Sequence, residues 1–376
     1  MRFFARHLGA LALAAAAGAL VFADTAFAQS DTSSWVGRPD DPGAPVERKK
    51  APGKAPAPPK TIRTFPSEGG KTAPAPSAPP DKGSSHAKAA TGAPTGDDAA
   101  YEAFDQGQYL TALDLGVKAA ERGEPTAHTL VGRIYAEGLG TSKNLPLAAR
   151  WYARGAELGD PEAMFAYGLL LAEGEGVEKN RVEAARFLEA AAAKRHALAN
   201  YNLALLFLKG DGKPENPYRA FMHMRYAAEQ GITTAQYDLG TLYATGQGTD
   251  PNAFEAAKWI GKAAQKGNVE AQIDYAVILF RGHGVPPDPK KGADFFRQAA
   301  EKGAATAQNR LARCYAHGAG VEKNLIEAAK WNFIARAGGI EDPALEKLLS
   351  SMSRGDRSKA QAAAAQWRDR LLTGIE

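Results

Sequence analysis

Cys314 and His317 stand three residues apart, a spacing that on one helix would let an imidazole take the thiol proton and leave a nucleophilic thiolate. His283 lies inside the tripeptide Gly282-His283-Gly284, and His317 directly precedes Gly318-Ala319-Gly320. Two such loops stacked on one edge would bring a pair of imidazoles toward a metal ion, although two histidines alone make a weak site. His86, His128, His196 and His223 are scattered elsewhere, and His7 falls in an export signal. Tyr201 and Tyr237 carry another chemistry, as rings that anchor a peptide or stack on a sugar. A single cysteine in 376 residues excludes an intramolecular disulfide framework and any multi-cysteine metal centre. No nucleophile elbow, phosphate-cradling loop or paired-acid motif occurs in a fitting context.

The elements that carry these groups decide which of them can meet, and the elements follow a fixed period. A G-x-G turn has its first glycine at Gly138, Gly174, Gly210, Gly246, Gly282 and Gly318, a constant spacing of 36. With that glycine as zero, position −11 is always alanine, from Ala127 and Ala163 to Ala307. Position −6 is Gly132, Gly168, Ala204, Gly240, Ala276 or Ala312, and position +6 is Asn144, Asn180, Asn216, Asn252, Asp288 or Asn324. A fixed period with fixed chemistry at each phase marks a solenoid. Positions −11, −7, −4 and −3 are apolar or small at helical spacing, as in Ala163, Tyr167, Leu170 and Leu171, and define a first helix, A. Glycine ends it by leaving through positive φ. The Asn or Asp at +6 caps a second helix, B, and Pro146 and Pro217 suit its first turn. Helix B carries small pairs such as Ala148-Ala149 and Ala256-Ala257, then a large residue at +13: Trp151, Phe187, His223, Trp259, Phe295 or Trp331. Small against large is how close-packed helices interdigitate. No strand precedes the G-x-G, so it is a helix exit and not a dinucleotide fingerprint.

The period also sorts the candidate chemistry. The histidines occupy different phases and so point in different directions. Cys314 falls at −4, where other units have Ile134, Leu170, Leu206, Leu242 and Ile278, and reads as a small buried apolar residue. His223 replaces Trp or Phe at +13 and reads as a core histidine. No catalytic, cofactor or metal site is expected, and the chain reads as a non-enzyme.

Units such as Ala235-Gln236-Tyr237-Asp238-Leu239-Gly240-Thr241-Leu242-Tyr243-Ala244-Thr245-Gly246-Gln247-Gly248 resemble the Sel-one-like repeat, a relative of the tetratricopeptide repeat with a longer loop between its helices. The resemblance covers roughly residues 97–339. It implies an all-α, right-handed solenoid of about six antiparallel helix pairs, with N- and C-terminal capping helices. It also implies an adaptor or regulator that binds other proteins. By that resemblance the partner is a membrane sensor, a machine assembling surface polysaccharide, or cell-division machinery. Exported relatives with a cysteine pair per repeat are linked to β-lactam or peptidoglycan binding, and this chain lacks those pairs.

Helix A has an anomalous second side. Positions −9, −5 and −2 lie nearly opposite the first apolar set and should be polar on a free-standing helix. In four central repeats they are Phe165, Leu169, Ala172; Tyr201, Leu205, Leu208; Tyr237, Thr241, Ala244; and Ile273, Val277, Phe280. The flanking repeats have Thr129 and Arg133, and Asn309 and Arg313. In tetratricopeptide-like solenoids this side lines the concave surface. Phe165, Leu169, Tyr201, Leu205, Tyr237, Ile273 and Val277, framed by Arg133 and Arg313, are therefore candidate partner-binding residues. The alternative is that the −9 aromatics wedge between successive A helices, and the two readings can coexist.

The segments before the repeats differ in kind. Residues 1–28 read as a signal peptide: Arg2 and Arg6, an apolar run from Leu8 to Phe22, and Ala26-Phe27-Ala28 before a cut at Gln29. That run falls short of the ~20 residues of a bilayer span, and no lipobox cysteine follows. Residues 29–96 hold 13 of the 23 prolines and read as a disordered tether with two candidate docking stretches, Trp35-Val36 and Thr61-Ile62-Arg63-Thr64-Phe65-Pro66. A capping hairpin over 97–123, six repeats over 124–340 and closing helices over 341–376 complete the organisation. Residues 97–376 carry 34 Lys/Arg against 35 Asp/Glu, so no basic stripe exists for nucleic acid. The expectation is a periplasmic scaffold, or a secreted one, that binds an envelope protein segment. A peptidoglycan- or glycan-binding protein is the alternative, and a weak hydrolase of cell-wall-like substrates is a second.

Overall fold

In the computed structural model, residues 96–373 are described; the signal, the tether and its two docking stretches lie outside the described residues. Among the described residues there are sixteen helices and no strand. Helices α1 (Gly96–Asp105) and α2 (Tyr109–Glu121) open the array. Six A helices follow: α3 (Pro125–Glu137), α5 (Pro161–Glu173), α7 (Ala197–Lys209), α9 (Thr233–Thr245), α11 (Val269–Arg281) and α13 (Ala305–His317). They alternate with six B helices: α4 (Leu145–Glu157), α6 (Arg181–Ala193), α8 (Pro217–Glu229), α10 (Ala253–Gln265), α12 (Pro289–Glu301) and α14 (Leu325–Ala337). The short α15 (Pro343–Leu349) and the long α16 (Arg354–Thr373) end it, α16 packing on α14. Each helix packs on its sequence neighbours, as a solenoid of antiparallel pairs requires.

The boundaries are set by capping. Every A helix of the six units ends on its G-x-G glycine in the left-handed region, as at Gly246 with φ 74°. Every +6 side chain accepts a backbone N–H of the first turn of helix B, for example Asn252 Oδ1 from Glu255 N–H at 3.1 Å. The same residue's own N–H donates back to helix A, Asn252 to the Tyr243 carbonyl at 2.8 Å, so the loop is closed at both ends.

The second glycine of each turn has a different cause. A Cβ on Gly248 would stand 2.0 Å from the Pro217 carbonyl oxygen, and one on Gly284 would stand 2.1 Å from that of Ala253. Each loop thus rests directly on the first residue of the preceding B helix. At the other end of the pairs the join is made by side chains: Lys266 Nζ donates to the Gly231 carbonyl and Lys302 Nζ to that of Gly267, both at 2.7 Å.

Within a pair, the small residue at −6 faces the residue at +14, not the +13 residue picked out by size. A Cβ on Gly240 would meet Ile260 Cγ1 at 2.5 Å, and one on Gly132 would meet the Tyr152 ring at 2.8 Å. Leu188, Met224, Ile260 and Phe296 at this phase are all buried, whereas at +13 Trp259, Phe295 and Trp331 are buried but Trp151, Phe187 and His223 are only partly covered.

Candidate functional site

The −9 residues form a seam between repeats. Phe165 is 3% exposed and stacks on His196, with ring centroids 4.6 Å apart. This corrects its expected place on an open surface: it is wedged against the residue that caps the next A helix. His196 Nδ1 accepts from Ala199 N–H at 3.0 Å, so Nε2 carries the proton and donates to Glu162 Oε2 at 2.9 Å. Thr129 donates to Asp160, which also caps α5 by accepting from Ala163 N–H at 2.9 Å. Asn309 donates to Asp342 at 2.9 Å, and Asp342 caps α15. At these three repeats one phase, with three side-chain chemistries, does one job: it holds the residue that caps the next helix.

Tyr201 and Tyr237 belong to the same seam but reach elsewhere. Tyr237 Oη donates to Asp274 Oδ2 at 2.8 Å, and Tyr201 stands beside Asp238 in the same register. Each phenol thus meets the acid at −8 of the next A helix. Burial, and then the adjacent carboxylates, push both phenols well above their ordinary range. Burial pushes Asp238 up to about 6 against the opposing effect of Tyr201. Asp274 is raised by burial, with Tyr237 opposing and Glu270 adding to the rise.

The framing arginines are engaged as well. Arg313 grips Asp342 through Nε at 2.6 Å and Nη2 at 2.9 Å. Arg133 pairs with Glu137 at 2.8 Å and lies over the Phe104 ring. Both therefore tie elements together and are not idle cations at the ends of a strip. What stays open on the A helices is the side carrying −8 and −5. Leu169, Leu205, Thr241 and Val277 are half-buried there, in line with Asn202, Asp238 and Asp274. Ile273 is half-buried at −9, beside this side.

No assembled chemistry accompanies the candidate thiol and imidazoles. Cys314 is 4% exposed, and burial pushes its thiol up to about 12, so it is not a thiolate. His223 donates through Nδ1 to Asn200 Oδ1 at 2.9 Å and stacks on Phe207, and burial lowers its pKa. Among the described residues no three His, Cys, Asp or Glu side chains gather as a metal site.

The Sel1 repeat family matches at residues 125–160, 161–196, 197–232, 233–268, 269–303 and 305–331, more than half of the chain. The protein is a Sel1-repeat protein. A Sel1 repeat protein from Oxalobacter formigenes is similar at 30% identity, covering 66% of this chain and 98% of that one, with a TM-score of 0.56. A protective antigen of uropathogenic Escherichia coli displaying an SLR fold is similar at 26% identity and a TM-score of 0.66, covering 75% of this chain. The chain spans 61% of the length of that antigen. No curated protein matches the chain. Among the described residues, no helix is long and apolar enough to cross a membrane.

Two phases of the Sel1 repeats carry function in the fold that periodicity alone passes over. At −10 stand Asn200, Gln236, Gln272 and Gln308, all buried. Gln236, Gln272 and Gln308 each donate at 3.1–3.2 Å to an alanine carbonyl eight residues earlier, at the end of the preceding B helix. Each of these carbonyls also accepts the N–H of the glycine three residues on, so the glutamine adds a second bond that ties the A helix to the end of the preceding B helix. The signal was present as three consecutive glutamines in register. The other phase is −8, where Asp238 and Asp274 recur one period apart.

Proposed function

We propose that this Sel1-repeat protein is a non-catalytic scaffold of the bacterial periplasm that holds a segment of a partner protein along the open side of its A helices. The observation that carries this reading is the row of half-buried Leu169, Leu205, Thr241 and Val277 at one phase of four successive repeats, three of them apolar where a free-standing face would be polar. Apolar side chains in line, next to polar groups fixed in place, suit an extended or helical segment of another chain. The export signal supports the compartment, and envelope signalling or surface polysaccharide assembly is the setting that fits it. The glycan alternative has less support, since Tyr201 and Tyr237 are turned to carboxylates within the seam. A hydrolase has no activated nucleophile in Cys314.

The test is in-cell cross-linking of the full chain beside a Leu169→Glu/Leu205→Glu variant, with matched thermal melts. Partners captured by the wild type and lost from a folded variant are the expected result. Identical capture profiles overturn the reading.

A further inference from the structure

Asp238 and Asp274 stand at the same phase of successive helices, α9 and α11, on the side that carries Leu205, Thr241 and Val277. Each is backed by a tyrosine of the preceding repeat: Tyr237 donates its hydroxyl to Asp274 at 2.8 Å, and Tyr201 stands beside Asp238 in the same register. A neutral phenol satisfies a lone pair and leaves the negative charge uncompensated. Among the described residues neither carboxylate makes an ion pair, although the chain forms fourteen elsewhere among them, from Asp114 to Asp356. The charge that acts on the Asp274 carboxyl is another acid, Glu270, which raises it further. Two half-buried carboxylates, each backed by a tyrosine, without a cation, on a partly apolar side, make a surface complementary to positive charge.

We propose that the open side of α7, α9 and α11 takes an extended peptide segment bearing lysine or arginine, whose cationic side chains reach Asp238 and Asp274 while its backbone lies over Leu205, Thr241 and Val277. This deepens the scaffold reading and rests on it. The spacing favours a polyproline-type segment. Helices α9 and α11 meet through the Tyr237–Asp274 bond, and helices in such contact lie roughly 8–10 Å apart. A polyproline-II strand advances about 9 Å every three residues and returns to the same side. Basic residues three apart therefore face successive carboxylates. Phosphate-bearing surfaces do not suit the site, since each would bring its own negative charge against these acids.

The experiment is fluorescence anisotropy of the full chain with a labelled (Ala-Pro-Lys)4 peptide, beside (Ala-Pro-Glu)4, at low and moderate salt. Binding of the lysine peptide, weakened by salt and absent for the glutamate peptide, is the expected result. The Asp238→Asn/Asp274→Asn variant, in which each amide oxygen still stands beside its tyrosine, is expected to bind at least 10-fold more weakly. Glu173→Gln, an exposed acid on α5, is expected to bind as the wild type does. No binding of the lysine peptide, equal binding of the glutamate peptide, or unchanged binding by the double variant each overturns the proposal. If it fails while the Leu169→Glu/Leu205→Glu variant still loses its cross-linked partners, the scaffold reading stands with a partner of different chemistry. If both fail, the open side is not a docking surface.

Discussion

At the scale of single residues, Asp238 is held at a cost. Its carboxyl is raised from 3.8 to about 6 by burial, so the folded chain holds a proton there that the unfolded chain has released between those values. Stability contributed at this position is therefore present at low pH and declines as pH rises through about 4 to 6. At pH 7.5 the ionised group opposes folding, by about 1–3 kcal/mol once water reaching it from the open side is allowed for. Asp238→Asn is expected to raise the midpoint of urea unfolding at pH 7.5 and to leave it unchanged near pH 3.5, where the wild-type carboxyl is also neutral. Lower stability of the variant at pH 7.5 would contradict the charge argument. A side chain kept against stability is commonly kept for what it binds.

At the scale of the helix and its loop, the sequence and the structure agree most closely where one residue answers one backbone need. The second glycine of a G-x-G turn and the glycine that follows a B helix both have positive φ but differ in what surrounds them, and the difference can be measured. Gly248 is at φ 78° and its added Cβ would press on the Pro217 carbonyl at 2.0 Å, so Gly248→Ala should cost roughly 3–4 kcal/mol. Gly303 is at φ 92° with nothing within 4 Å of an added Cβ, so Gly303→Ala should cost only about 1 kcal/mol of backbone strain. Equal destabilisation of the two in chemical melts would show that the close approach to the preceding helix is unimportant. Helix exits and caps were legible in the sequence because their cause is local: Gly246 must turn left-handed, and Asn252 must accept from Glu255. The −9 side was only partly legible. Phe165 and Leu169 differ by four residues on one helix, yet one is sealed in the seam and the other is half-open. Which of them is covered depends on how one A helix is rotated against the next, and periodicity within a helix carries no information about that. The buried glutamines escaped notice for a related reason. Gln272 looks like a surface residue until the Ala264 carbonyl of the preceding helix is placed beside it.

At the scale of the whole array, the bonds between repeats join fixed phases, so they should survive removal of a full period. Deleting residues 233–268 removes Tyr237 and Asp238 together and brings Tyr201 into register with Asp274. The shortened chain is expected to fold with unchanged helicity per residue, a lower melting temperature and one remaining phenol–carboxylate contact of this kind, since an array's stability is close to a sum over neighbours. Deleting residues 233–267, one residue fewer, breaks the phase and should lose cooperative melting. A cooperative transition in both deletions would show that the register is not what holds neighbours together.

The two ends of the helix pairs are joined by unequal means, and this difference decides how the array can flex. Along the glycine loops, backbone rests on backbone with no side chain between, as at Gly248 on Pro217. Along the other edge, Lys266 and Lys302 span the gap on long, rotatable stems. The molecule is built like a hand-fan: riveted along one margin, with its ribs free to spread by small amounts along the other. Opening or closing along that margin would change the distance between Asp238 and Asp274 while every helix stays intact, so a segment laid across the array would be felt as a change in its pitch.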